Sequence, residues 1–111
     1  MIVYRVHHPV DKTGPYQSDM FPSDMRELLK EEHDSDDNHP SPFYDKGLNV
    51  RRIYPHQVCA FSSIKSLESW FSGWMPYLYE CGFVVVSADA NTYDSSEVTG
   101  QVIVSKSVFD T

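Results

Sequence analysis

The stretch from Val58 to Ala88 limits the fold of this chain more than any other part. It opens with Val58 to Phe61 (VCAF), which reads as a buried strand. It closes with Phe83 to Ala88 (FVVVSA), the clearest strand in the sequence. Between them Ile64, Leu67, Trp70, Phe71, Trp74, Met75 and Leu78 recur at three- and four-residue steps, the pattern of an amphipathic helix. Gly73 and Pro76 interrupt that pattern. The spacing therefore predicts two consecutive helices, 64–71 and 74–81, with Pro76 in the first turn of the second and Gly82 as its C-terminal stop. Ser62 and Ser63 are the candidate N-caps of the first helix. Ile2 to Val6 (IVYRV) and Gln101 to Ser105 (QVIVS) read as further strands. The fold class is α+β, a small mixed or antiparallel sheet with two or three short helices. The last strand is expected to pair with 83–88 as a hairpin closed by a long polar turn over 89–100.

A third helix is expected early in the chain. Pro9 ends the first strand, and Asp11 to Pro15 is turn chemistry. Ser23 offers an N-cap, and Asp24 places negative charge where a helix start favours it. Met25, Leu28 and Leu29 form a narrow apolar stripe, and the helix fades near His33. Residues 34–49 read as a long loop, with two prolines, a glycine and several turn formers. Arg51 to Tyr54 suggests a short extended segment. At 111 residues the expectation is one domain, 1–111, with an acidic helix and loop at 19–49.

Charge is concentrated in that region. Residues 19–37 hold eight acidic and two basic side chains, which accounts for six of the seven net negative charges. A sequence pI near 5 argues against direct binding to nucleic acid phosphates. An acidic patch instead attracts basic protein surfaces, where its carboxylates take the places of phosphates. The candidate partner-binding residues are Asp24, Glu27, Glu31, Glu32, Asp34, Asp36 and Asp37. The partner expected is a basic host protein, with no direct nucleic acid and no membrane. The plainer alternative is that the acidic run serves solubility alone.

No P-loop, dinucleotide fingerprint or nucleophile elbow occurs, so no cofactor and no catalytic residue is expected on the binding-protein reading. His33 to His39 resembles a cation loop, with Asp34, Asp36 and Asn38 at oxygen-ligand spacing. His39 stands where such a loop needs glycine, and Asp45 where it needs glutamate, so no metal site is expected. Of His7 and His8, adjacent on a strand, one is expected at the surface and one partly buried. Cys59 and Cys81 lack a CxxC spacing and read as buried reduced thiols. Arg5, Arg51 and Arg52 are isolated cations suited to internal pairs or to anchoring an anion. No signal peptide or bilayer-length apolar run is seen, and a host-cell cytoplasmic location is the expectation.

Two resemblances enter. Tyr4-Arg5, Gly14-Pro15-Tyr16, His39-Pro40-x-Pro42, Phe61-x-Ser63, Leu67-x-x-Trp70-Phe71 and Gly82-Phe83 together resemble a set of small phage-type proteins. Together with the acidic helix and loop, this suggests a non-enzymatic inhibitor or adaptor of phage or mobile-element origin that docks on a basic host surface, such as that of a CRISPR effector or another defence nuclease. The order of elements also resembles an ADP-ribosyltransferase layout. That second resemblance implies an NAD site with Arg5 or His7 on the first strand, Ser62 on a middle strand, and a late-strand carboxylate. Gln101 occupies the carboxylate position and cannot serve as one; Glu97 is the nearby acid.

Overall fold

The computed structural model describes residues 1–34, 39–42, 44–49 and 52–110. Among the described residues five strands form one sheet: β1 (Ile2–His7), β2 (Gln57–Phe61), β3 (Val84–Asp89), β4 (Thr92–Ser95) and β5 (Gln101–Ser105). Their spatial order is β3-β1-β2-β5-β4, and every neighbouring pair is antiparallel. Three α-helices accompany them: α1 (Ser23–Asp34), α2 (Ile64–Trp70) and α3 (Met75–Glu80), with a final 3-10 turn over Lys106–Phe109.

The alternating pattern of the strands sorts side chains onto two faces. One face carries Tyr4, Val6, Phe61 and Val85 and packs against α1–α3 through Leu29, Leu67, Phe71, Leu78 and Phe83. The opposite face carries Val3, Ala60, Val102 and Val104 and is covered by Phe109 of the 3-10 turn.

The helices start and stop largely where local chemistry dictates. Ser63 caps α2 by accepting from the Ser66 N–H at 3.0 Å. Pro76 lies in the first turn of α3. Gly82 ends α3 at φ +93°, a conformation that side-chain-bearing residues avoid. Its N–H donates to Tyr79 O and the Phe83 N–H to Leu78 O, both at 3.0 Å, which satisfies two carbonyls left open at the helix end. Buried His8 completes this junction. Its Nδ1 accepts from the Val10 N–H, so Nε2 carries the proton and donates to Cys81 O at 3.1 Å.

Several expectations are corrected. The last strand does not pair with 83–88: β5 lies between β2 and β4, and β3 pairs with β1. The 89–100 turn contains a strand, β4, whose pairing with β5 is shifted by an irregularity between Thr92 and Asp94. Its short polar sequence, TYDS, hides it from a hydrophobic pattern. Ser23 is the first residue of α1 instead of its cap, because Pro22 O accepts from the Arg26 N–H. Leu28 is 55% exposed and Ile64 45% exposed, so neither stripe is buried throughout. His7 and His8 are both buried, because His7 lies under Phe109 and His8 under Phe83. The two cysteines are free thiols and only partly buried.

Candidate functional site

The first candidate is the outer face of α1. Asp24, Glu27 and Glu31 follow one another at three- and four-residue steps, and Leu28 lies four after Asp24 and three before Glu31, so the four share one side of the helix. All four are exposed. Leu29 and His33, on the opposite side, are buried. Asp34 continues the exposed face. Glu32 leaves it, because its carboxylate accepts from the Trp74 indole N–H. Asp36 and Asp37 lie outside the described residues. The Lys30–Glu27 pair, at 3.9 Å and widely exposed, contributes about 0.3 kcal/mol and does not neutralise the face. The result is a ridge of carboxylates around one exposed leucine.

The second candidate is a cleft of about 510 Å³ on the inner side of α1. It exists because the sheet comes apart at its centre. Six residues of β1 are matched to β3, and five of β2 to β5, yet β1 and β2 share only the Tyr4–Phe61 register pair. Beyond that pair the two strands separate. Arg5 lies in the gap, and its Nη1 donates to the backbone carbonyl of Cys59 at 3.3 Å. Gly14 stands close beside the guanidinium; a Cβ there would be 3.7 Å from it. Desolvation pulls the Arg5 pKa below its ordinary value, opposed by its interaction with Cys59.

Aromatic rings form the rest of the wall. The Trp70 indole donates to Tyr16 Oη at 2.7 Å, which leaves the Tyr16 hydroxyl to donate to His33 Nδ1. Burial raises the Tyr16 pKa and keeps that hydroxyl protonated. His33 stacks on His39 at 4.0 Å with the rings nearly parallel, and His39 Nε2 donates to Trp70 O at 2.8 Å. These bonds bind α1, the loop after it and α2 into one wall.

Below the gap, Gln101 and Asp45 form a closed network. Asp45 accepts from Gly47 N, the Ser96 and Thr99 hydroxyls and the Gln101 amide. Burial acts to raise its pKa, but the four donors outweigh it and hold it below the usual carboxylate range. Gln101 also donates to Pro40 O at 3.0 Å and accepts from the Cys59 thiol at 3.2 Å. Burial pushes that thiol up to about 12, so it stays protonated as the donor. Asp45 therefore spends both oxygens on the protein. Among the described residues no cluster of three His, Cys, Asp or Glu side chains is placed to hold a metal ion.

The transferase set is not assembled in one place. Arg5 and Gln101 line the central cleft, whereas Ser62 and Glu97 line a second one beside α2. No helix among the described residues is long and apolar enough to cross a membrane. Sequence reasoning named Arg5 but missed Tyr16 and Trp70 as its neighbours; the one signal was an arginine inside an otherwise apolar strand.

The model of the bacteriophage T4 Y00F protein family matches residues 1–109. No curated protein and no solved structure matches the chain.

Proposed function

Since the chain belongs to the bacteriophage T4 Y00F protein family, we propose that it is a non-enzymatic binding protein which a phage directs against a basic surface of a host protein. The working surface is the outer face of α1. One observation carries this reading: Asp24, Glu27, Glu31 and Asp34 share an exposed face of α1 that also leaves Leu28 exposed at its centre. Carboxylates around an apolar anchor match a surface built to hold nucleic acid phosphates. They accelerate encounter by long-range attraction, while the leucine contributes contact area once docked. The partner class is a nucleic-acid-handling protein of the host, and a CRISPR effector or another defence nuclease fits it.

The test is a charge-reversed chain, Glu27→Lys, Glu31→Lys and Asp34→Lys. Asp24 is kept because it supports the first turn of α1, and Glu32 because it holds Trp74. Pull-down from host lysate at low and high salt should recover a basic partner with the unaltered chain only, and less of it at high salt. Equal recovery by the reversed chain would refute the proposal and leave the acidic face to solubility.

A further inference from the structure

We propose that the gap between β1 and β2 binds a small organic anion, a molecule with one carboxylate or phosphate head and an apolar body, its head on the Arg5 guanidinium. This site borders the α1 docking face at Asp34, and its test does not depend on that face.

Three observations carry the inference. The first is the state of Arg5. A guanidinium offers five N–H donors, and among the described residues this one has a single acceptor, the Cys59 carbonyl at 3.3 Å. Among the described residues no carboxylate lies within 4.0 Å of it. A cation half withdrawn from water without a counter-charge is costly, and the cost is relieved when an anion takes the remaining donors, two at a time.

The second observation is shape. The gap holds about 510 Å³, within the range of small-molecule sites, roughly 300–1,000 Å³. Its walls are mostly apolar, from Tyr16, Phe61, Trp70 and Phe71. Such walls accept a hydrocarbon or aromatic body but offer little to a bare inorganic ion.

The third is that the gap is built. Arg5 holds β2 by the Cys59 carbonyl in place of a continued ladder, and the loop at Gly14 lies beside the guanidinium. The Tyr16–Trp70 and His39–Trp70 bonds fix the far wall. Lys30 adds a second cation on the α1 side, with the exposed Asp34 beside it.

The experiment titrates the full chain with two anions and their neutral counterparts: adenosine 5′-monophosphate against adenosine, and phenylacetate against phenylacetamide. Inorganic phosphate is the head without the body. Binding is read by calorimetry and by amide chemical shifts. At least one organic anion should bind at least tenfold more tightly than its neutral counterpart and than inorganic phosphate, and should shift the amides of Arg5, Gly14 and Cys59. Which anion binds separates a phosphate head from a carboxylate head. Arg5→Lys, which keeps the charge and loses the fork, should weaken that binding about tenfold. Absence of binding by both organic anions, shifts confined to other amides, or equal binding by the neutral counterparts would each overturn the proposal. The shift map is read on the unaltered chain, so it decides the matter even if Arg5→Lys does not fold.

Discussion

Gln101 donates its side-chain amide to Asp45 at 2.9 Å, deep beneath the loop that follows α1. This single bond accounts for an amide at position 101. An amide can donate to the carboxylate; a second carboxylate cannot.

Gln101→Glu should therefore destabilise the chain at neutral pH by about 3 kcal/mol, because it faces one buried carboxylate with another. Acidification to the point where the pair shares a proton should recover part of that loss. Equal melting temperatures for the two chains at neutral pH would contradict this account. Transfer from labelled NAD should be absent in both.

Asp45→Asn should cost a similar amount, about 2–3 kcal/mol, since its new amide group opposes donors already aimed at the carboxylate. The carboxyl of Asp45 lies below its ordinary range, so its stabilisation is present above the unfolded value, about 3.9, and is lost as pH falls through the folded one. Asp11 has the same sign. Burial acts to raise it, but Ser18 and the Thr13 N–H hold it down at about 2. Denaturant midpoints measured from neutral to acid pH should fall for the unaltered chain, and fall less for Asp45→Asn.

His7 gives an opposite kind of group but the same slope. Burial first, then Arg5 and Lys12, lower its pKa, against smaller opposing effects of Asp11 and Asp110. The unfolded chain thus binds a proton more readily than the folded one, and stability is lost as pH falls through about 6.5. His7→Asn should flatten the change in melting temperature between mildly alkaline and mildly acid buffer. An unchanged slope would mean that His7 does not titrate across this transition.

Two glycines separate backbone strain from crowding. Gly73 has φ +83° and open space where a Cβ would stand, so Gly73→Ala should cost about 1–2 kcal/mol from conformation alone. Gly82 has φ +93°, and an added Cβ would lie 2.9 Å from His8 Nε2. Gly82→Ala should cost about 1–3 kcal/mol more, because it also pushes His8 off the Cys81 carbonyl. Equal losses in the two variants would show that the His8 clip contributes nothing.

What the sequence announced was local. β1, β2, the α2–α3 break at Gly73 and Pro76, and the stop at Gly82 all follow from residue type and spacing. Pairing was not legible. The β3–β1 and β2–β5 ladders join residues far apart in the chain, and apolar runs such as FVVVSA and QVIVS carry no label of their partner. The acidic face was visible as composition, though its geometry was not: Glu32 turns to Trp74, and Leu28 turns outward. The Arg5 gap depends on two strands failing to pair, and no pattern within either strand encodes that.

The central seam also sets how the sheet comes apart. Within the sheet, one residue pair and one guanidinium join a two-strand ladder, β3–β1, to a three-strand ladder, β2–β5–β4, while the cores on both faces bridge the two. The β3–β1 and β2–β5 pairings are each uninterrupted, so sub-global opening of the sheet is expected along the seam. Amides on either side should then exchange with solvent as two groups with separate protection. Whatever fills the seam would lock the two groups into one.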